Sequence, residues 1–304
     1  MEKKEIKNNV VGSAILALTF EASIENKPLA VTKNKKRKNL SFENFLATAS
    51  YLAMNFAHSF EDGYSGNFRI GKRIFEATKT MLSTQSAGNT SLGSILLLTP
   101  LITASSYCYR KNLKIDIENL RIAIKDVLEN SSYKDSVNIG KAILLTQPTW
   151  LVNVKEFDLN NVSWIKEVRD KKAKPINFME VAKEFDWIAY EYCSYFEITF
   201  NDSYPMLLKM LQKMELSKAA LATFIYLMSK RTDSHIYRKF GKDAAEKVRK
   251  VASELLANKL SFEQIADKID KEFEPLGYTA GTTADLLVAS LYLLFLIEGS
   301  KKYI

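Results

Sequence analysis

The sequence predicts an all-α fold: a single multi-helix, bundle-like domain over residues 1–304 with a central polar cleft. Three observations lead to this prediction. Apolar residues make up 47% of the 304 residues, and they recur at helical spacing in nearly every long segment. No β-alternation of comparable length competes with this pattern. The chain has only 11 Gly and 6 Pro, whereas a β-sandwich or barrel needs a turn about every 8–12 residues.

The helical pattern is present, in chain order, in residues 10–22, 42–60, 70–82, 92–107, 117–128, 178–200, 204–211, 218–228, 244–256, 262–273 and 284–297. The first segment follows two lysines, as the apolar part of a signal peptide would. Glu21 comes directly after its apolar run, so we interpret it as a helix with one buried face. Residues 142–157 are the one place where a strand pair is plausible, although Pro148 argues against a central strand.

The composition restricts the partners and the compartment. The formal net charge of +8 favours a polyanionic partner, either a nucleic acid or a phosphate-rich small molecule. Cys108 and Cys193 lie far apart and only two histidines are present, so neither a disulfide framework nor a zinc site is supported. A reducing cytoplasm is the simpler location. The most apolar runs, 95–104 and 286–297, are shorter than the ~20 residues that cross a bilayer, so no membrane span is expected.

Two polar connections have the pattern of helix starts that bind anions. In "GNTSLG", Asn89 or Thr90 can cap the next helix and leave free amide protons at the positive end of its dipole, although a simple cap is the alternative. In "AGTTADLL", Thr282 and Asp285 have the spacing of a capping box. A carboxylate at this place would serve a phosphate site best through a bridging Mg²⁺, which prefers one or two carboxylates plus substrate oxygens.

Acidic residues mark two further segments. If residues 178–200 form one helix, Asp186, Tyr190, Cys193 and Glu197 share one of its faces. A carboxylate on such a face indicates either a salt bridge or a site.

The second acidic segment is "RTDSHIYRKFG". If it is helical, Ser234, His235, Arg238 and Lys239 lie on neighbouring faces, with Asp233 at the mouth. The alternative is that Asp233 only caps the next turn and that the cations are exposed.

Taken in order, these connections resemble those of the triphosphoribosyl-dephospho-CoA synthase family, especially its archaeal-type branch. That family has an early Glu followed by Lys-Pro-Gly, an Asn-Thr-x-x-Gly helix start, an Asp before Ile-Ala, an Asp-Thr/Ser-x-x-x-Arg segment followed closely by Gly, and a late Gly-Gly/Thr-x-Ala-Asp-Leu. The matching positions are Glu21 with Lys27 and Pro28, "NTSLG" from Asn89, "DWIA" from Asp186, "DSHIYRKFG" from Asp233 and "GTTADLL" from Gly281. The ordered matches extend from residue 21 to residue 287.

The resemblance implies an all-α, nucleotide-binding transferase. In the family, the 2′-hydroxyl of dephospho-CoA attacks the anomeric carbon of ATP, adenine leaves, and the triphosphate stays on the transferred sugar. Such a reaction needs cations along the triphosphate and an acid that deprotonates the hydroxyl or stabilises an oxocarbenium-like centre. The resemblance places Lys27, Asn89, Thr90, Arg238, Lys239, Thr282 and Thr283 on the nucleotide and its phosphates. It makes Asp233, Asp186 and Glu21 the catalytic candidates, and Asp186, Asp233 and Asp285 the ligands of an expected Mg²⁺. It leaves open which carboxylate has which role.

The chain also departs from the family pattern. Leu29 replaces the usual Gly, Asn26 replaces a Pro, and the basic run 33–38 replaces acidic positions. A lost Gly usually means that the backbone no longer approaches a ligand closely, and the basic run could remove a metal ligand or change the acceptor.

Two alternatives to the transferase therefore stay in view. One is a nucleotide-binding or scaffold protein of the same fold that has lost or changed the activity. The other is a nucleic-acid-binding protein that uses the basic run, which we disfavour because that run has no interleaved aromatic residues. The expected partners are ATP and dephospho-CoA or a related acceptor, with no membrane and no nucleic acid, and with a homodimer left open.

Overall fold

A computed structural model describes residues 2–37, 39–148 and 151–304. Within these ranges the protein consists of α-helices, short π- and 3₁₀-helices and connections, and it contains no β-strand, which confirms the all-α prediction. The helices are α1 (Lys3–Ser23), α2 (Phe42–Ser65), α3 (Ile70–Thr84), α4 (Leu92–Arg110), α5 (Ile117–Glu129), α6 (Tyr133–Leu145), α7 (Trp164–Asp170), α8 (Pro175–Glu180), α9 (Trp187–Cys193), α10 (Tyr204–Leu211), α11 (Leu216–Lys230), α12 (Ser234–Phe240), α13 (Lys242–Ala257), α14 (Phe262–Phe273) and α15 (Gly281–Leu294).

Helices α4 and α15 form the centre of the protein. They pack against each other, while α4 also contacts α1, α2, α3 and α5, and α15 also contacts α1, α10 and α11. Most side chains of both helices are buried. By length and composition, the segments Leu92–Arg110 and Gly281–Lys302 could each cross a membrane, but 83% and 72% of their apolar windows are buried inside the protein. They therefore serve here as core helices.

A proline inside α4 is accommodated by a distant tyrosine. Pro100 has no N–H to donate to the carbonyl of Leu96 one turn earlier. The buried hydroxyl of Tyr192 donates a 2.8 Å hydrogen bond to that carbonyl. Because Tyr192 belongs to α9, the bond ties the centre of the fold to one of its short helices.

Two helices, α6 and α7, were not predicted. α6 begins at a capping box formed by Ser132 and Asp135, and it continues to Leu145, where we considered a strand pair plausible. Residues 151–154 have no regular secondary structure and pair with no strand among the described residues, so the strand pair is not formed there. Residues 149 and 150 of that segment lie outside the described residues.

The prediction of one helix over residues 178–200 is wrong. Asp186 is the N-cap of α9, and this helix ends after Cys193. Glu197 lies beyond the end of α9, so the four residues do not share one helix face. The hydroxyl of Tyr190 nevertheless donates a 2.7 Å hydrogen bond to the carboxylate of Glu197.

The interruption itself is stabilised by a buried carboxylate. Tyr195 and Phe196 have left-handed backbone angles (φ 55° and 64°), which non-glycine residues rarely adopt. The fully buried Glu191 accepts hydrogen bonds from the amides of Ile198 (2.9 Å) and Thr199 (2.7 Å), where the chain becomes helical again. The helical periodicity of the sequence conceals this turn because its flanking residues are as apolar as those of a helix.

Candidate functional site

A cavity of about 590 Å³ lies where α4, α9, α12 and α15 begin, and its size is usual for a small-molecule site. Its polar lining includes Glu21, Lys27, Arg37, Asn89, Thr90, Ser91, Ser94, Asp186, His235, Arg238, Lys239, Thr282 and Asp285. Its apolar lining includes Ile143, Leu151, Val152, Val154, Phe157, Leu159, Phe178, Met179, Val181 and Phe185. Most of the residues predicted for the site therefore line one cavity, although the sequence separates them by more than 260 positions.

The starts of the two central helices contribute positive potential to this cavity. The side chain of Asn89 accepts a 3.0 Å hydrogen bond from the amide of Leu92, as a cap of α4 does. The hydroxyl of Thr90 is paired with that of Thr48 at 2.9 Å. Gly281 and Thr282, at the start of α15, also line the cavity. Two helix N-termini near one cavity favour an anionic ligand, because both dipoles present their positive ends.

Asp285 is the carboxylate that most resembles a general base. Its Oδ1 accepts a 2.6 Å hydrogen bond from the hydroxyl of Ser94. The pKa of Asp285 is raised to about 7, chiefly by burial and also by the negative charges of Glu21 and Asp233, while the hydrogen bonds from Ser94 act against this rise. The capping box predicted from Thr282 and Asp285 is not formed, because this carboxylate points at α4 instead of at the start of its own helix.

Gly93 allows this arrangement. A Cβ atom on Gly93 would lie less than 3.0 Å from the carboxylate of Asp285 and from the side chain of Ile188. The glycine that ends the "NTSLG" motif is therefore needed for close packing of α4 against α15 and α9. Gly93 could be recognised in the sequence as part of the motif. The sequence did not show that Asp285 occupies the space beside it.

Glu21 and Lys27 form an ion pair in the wall of the cavity. Both residues are almost fully buried, with relative exposures of 5% and 1%. Burial lowers the pKa of Lys27, and the adjacent carboxylate partly reverses this effect. The two charges predicted to act on the substrate are thus engaged with each other.

Asp186 and Arg238 form a second ion pair that lines the cavity. The Oδ1 of Asp186 accepts hydrogen bonds from the amides of Ile188 (2.9 Å) and Ala189 (3.3 Å) and so fixes the start of α9. Burial lowers the pKa of Arg238 to about 10, while the charge of Asp285 acts in the opposite direction. The guanidinium remains cationic at neutral pH and lies near two carboxylates.

Asp233 does not line the cavity. It caps α12, with its Oδ1 accepting from the amide of His235 at 2.9 Å, and its Oδ2 accepts from the amide (2.8 Å) and the hydroxyl (2.9 Å) of Thr283. Burial raises the pKa of Asp233, which the charge of His235 and the bonds from Thr283 oppose. Asp233 and Thr283 thus join α12 to α15 behind the cavity wall.

The remaining residues of this segment face the ligand space. His235 and Lys239 line the cavity on α12. The Nδ1 atom of His235 lies 2.6 Å from the hydroxyl of Thr279, which orients the ring. The ammonium group of Lys239 lies 4.9 Å from the ring centre of Phe240.

The carboxylates predicted to bind Mg²⁺ do not form a metal site together. No group of three or more His, Cys, Asp or Glu side chains able to hold a metal ion occurs in the described part of the chain. Asp233 is occupied by hydrogen bonds and Asp186 by an arginine. Helix capping and ion pairing thus use two of the three aspartates, and their assignment as ligands of one ion stays a prediction.

The position that departs from the family glycine keeps a glycine-like backbone. Leu29 has a φ of 55° and is fully buried. Its amide donates a 2.7 Å hydrogen bond to Asp270, and its carbonyl accepts one of 2.7 Å from the amide of Ala280. Contrary to the expectation from a lost glycine, the backbone still passes along the cavity, where it ties α14 to the start of α15.

The basic run is partly neutralised by α14. Arg37 is buried in the cavity wall and contacts Asp270 (2.7 Å) and Glu274 (2.6 Å). Lys35 lies 2.8 Å from Asp270 and is also paired with Glu274. Sequence analysis missed Arg37 because a run of cations gives no sign of which member turns inward; Lys38 lies outside the described residues.

Comparison with known proteins assigns this arrangement to a family. The family model described as ATP:dephospho-CoA triphosphoribosyl transferase matches residues 7–303. The chain belongs to this family. No curated protein gives a significant match. The fold resembles the crystal structure of a provisionally assigned triphosphoribosyl-dephospho-CoA synthase from Archaeoglobus fulgidus, with a TM-score of 0.64 and 23% sequence identity over 83% of this chain and 98% of the other.

Family membership confirms the resemblance seen in the sequence motifs and makes the protein a transferase. Its function is the family's transfer of the triphosphoribosyl group from ATP to dephospho-CoA. Dephospho-CoA carries a hydroxyl and a polyanionic group, so the nearby carboxylates and cations of this cavity match the needs of the transfer.

Proposed function

We propose that the transfer takes place in the cavity at the starts of α4 and α15, with Asp285 as the general base. The observation that carries this proposal is the position of Asp285: a carboxylate with a pKa of about 7, in the wall of a cavity that is also lined by two helix N-termini and by the cations Arg238 and Lys239. A base is most effective when its pKa lies near the working pH.

In the proposed reaction, the 2′-oxygen of dephospho-CoA forms a bond to C1′ of the ATP ribose while the bond from C1′ to N9 of adenine breaks. The hydroxyl proton moves to Asp285 and is then available to the departing adenine, which leaves as the neutral base. The Ser94 hydroxyl, 2.6 Å from Oδ1, holds the carboxylate in place. The positive charge that develops at C1′ is stabilised by the acidic side of the cavity, which includes Glu21 and Asp186.

The triphosphate would lie along the cations and helix starts. Arg238 and Lys239 supply fixed charge from α12, and Asn89, Thr90 and Thr282 lie at the starts of α4 and α15, where the helix dipoles are positive. In this proposal Lys27 shares its charge between Glu21 and a phosphate oxygen. The roles of Asp233 and Thr283 are to hold α12 and α15 together, so that both groups of ligands face one another.

We further infer that Mg²⁺ enters with the nucleotide as its counter-ion. The carboxylates of the described residues do not fit a resident metal ion, and no step above depends on one. Mg²⁺ usually keeps several waters, and its other ligands are substrate phosphate oxygens and one or two carboxylates. The free thiols of Cys108 and Cys193 support a cytoplasmic location, and the pairing of Arg37 and Lys35 with acids supports a small-molecule partner over a nucleic acid.

The test is to incubate the protein with MgATP and dephospho-CoA and to measure free adenine and the acceptor product by liquid chromatography and mass spectrometry. We expect equal amounts of adenine and of an acceptor heavier by one triphosphoribosyl group. A dephospho-CoA analogue with hydrogen in place of the 2′-hydroxyl should give neither. Asp267→Asn, a change at an exposed residue of α14, serves as the control for Asp285→Asn. Absence of adenine release by the unchanged protein would overturn the proposal.

A further inference from the structure

The described part of the connection between α6 and α7 contains a segment without regular secondary structure at the cavity, residues 151–155. Leu151, Val152 and Val154 are half-buried and line the cavity, whereas Asn153 and Lys155 are exposed. From Val152 to Lys155 the side chains therefore alternate in exposure, as successive side chains of a strand-like chain do. The segment therefore presents one apolar edge to the ligand space.

The outer side of this segment is anchored to the protein. The amide of Phe157 donates a 3.1 Å hydrogen bond to Glu167, and the side chain of Asn153 accepts one of 3.0 Å from Asn160. Glu156 forms a 2.8 Å ion pair with Lys171. The segment is thus anchored on its outer side, while its inner side faces the cavity.

Among the described residues, no peptide N–H or C=O between 151 and 156 takes part in a hydrogen bond with backbone or side chain. Strands and strand-like edges with unpaired peptide groups bind extended chains that carry amides, because each amide can pair with a peptide group of the edge. Apolar side chains on the same edge select the groups between those amides.

We propose that residues 151–155 bind the amide-bearing arm of the acceptor. This inference rests on the proposed function, since dephospho-CoA carries on its diphosphate a flexible arm with two amide groups, a geminal dimethyl group and a terminal thiol. The two amides match the unpaired peptide groups of the edge. The dimethyl and methylene groups match Val152, Val154 and the neighbouring Leu151, which form part of the apolar lining. The edge thereby distinguishes the acceptor from nucleotides that lack the arm.

The experiment measures binding of dephospho-CoA and of ADP by isothermal titration calorimetry, without ATP. ADP keeps the nucleotide half of the acceptor and lacks the arm. We expect dephospho-CoA to bind at least about tenfold more tightly than ADP, which corresponds to about 1.4 kcal/mol, because the arm adds two amide groups and several apolar groups to the contact. Val152→Asp should bring this ratio close to one and leave the affinity for ADP unchanged.

Two further variants make the result specific. Asn153→Asp places the same charge on the outward side of the segment. Its ratio of affinities for dephospho-CoA and ADP should equal that of the unchanged protein. Val154→Pro removes one peptide N–H and keeps an apolar side chain, and it should reduce the ratio even if Val152→Asp fails to fold.

Equal affinities of the unchanged protein for both ligands, or an equal loss of both in Val152→Asp, would overturn the inference. Adenine release is measured separately. A protein that prefers dephospho-CoA without releasing adenine refutes only the proposed reaction, and one that releases adenine without this preference refutes only the arm site.

Discussion

Replacing Asp285 by Asn should increase the stability of the protein and abolish its activity. The carboxyl group is held with a pKa of about 7, whereas its usual value is 3.8. At about 1.36 kcal/mol per pKa unit, ionisation of this group opposes folding by up to about 4 kcal/mol. Asp285 is only half-buried, so solvent in the cavity reduces this effect, and we expect about 2 kcal/mol.

The size of this stabilisation depends on pH. Below pH 3.8 the carboxyl is protonated in both the folded and the unfolded chain, and the variant should then equal the unchanged protein. As the pH rises through the interval from 3.8 to about 7, the unfolded chain ionises first and the folded state loses relative stability. The asparagine cannot ionise, so its advantage should grow over this interval and stay constant above it.

The assay is urea unfolding of Asp285→Asn, Asp267→Asn and the unchanged protein at a series of pH values, together with adenine release at pH 8. Only Asp285→Asn should gain stability, and it should lose about 10²–10³-fold in rate, as expected when a general base is removed. The reasoning would be refuted if Asp285→Asn gained no stability above pH 7, or if it retained the full rate of adenine release.

Three further predictions concern the packing and the ion pairs of the site. Gly93→Ala should lose about 1–3 kcal/mol of stability and most of the activity, because the new methyl group collides with α15 and α9. Gly12→Ala, where the added Cβ meets no atom within 4 Å, should instead be neutral or stabilising in denaturant unfolding and in the rate assay. Lys27→Met should lower the free energy of unfolding by about 3–5 kcal/mol, because it leaves the buried Glu21 carboxylate unpaired. Adding Glu21→Gln to this variant should restore much of the lost stability. If the two substitutions had additive effects in a double-mutant cycle, the stabilising role of the ion pair would be contradicted. Asp233→Ala should lower the free energy of unfolding by about 2–3 kcal/mol through four lost hydrogen bonds, with the KM for ATP nearly unchanged below the melting temperature; a large rise in that KM would give Asp233 a direct role.

The helices could be predicted because their apolar faces repeat with the helical period, and most of the predicted segments are helical. The failures lie where local chemistry overrides periodicity. The apolar stretch around Tyr195 and Phe196 contains no residue pattern that predicts a left-handed turn. Glu191, the acid that stabilises this turn, cannot be distinguished in the sequence from other acidic residues of helices. The capping box at Ser132 was a readable signal for α6, but it was overlooked.

The sequence was sufficient to predict which segments form the site, but not the role of each residue in it. Motifs at helix starts identified the connections that meet at the cavity, since a helix start brings amides and capping groups to one place. The direction of each side chain was not predictable. Asp233 and Asp285 are both acids in motifs, yet one points away from the cavity and the other lines it. Arg37 was hidden for the same reason, because its inward orientation depends on two acids more than 230 positions later.

The bond between Tyr192 and α4 has a consequence for the evolution of the family. A proline at position 100 is tolerable only while another residue supplies the donor that its ring lacks. Among related sequences, tyrosine at position 192 and proline at position 100 should be gained and lost together. A relative with an ordinary residue at 100 is free to carry phenylalanine at 192, so comparative genomics can examine this dependence without any protein being purified.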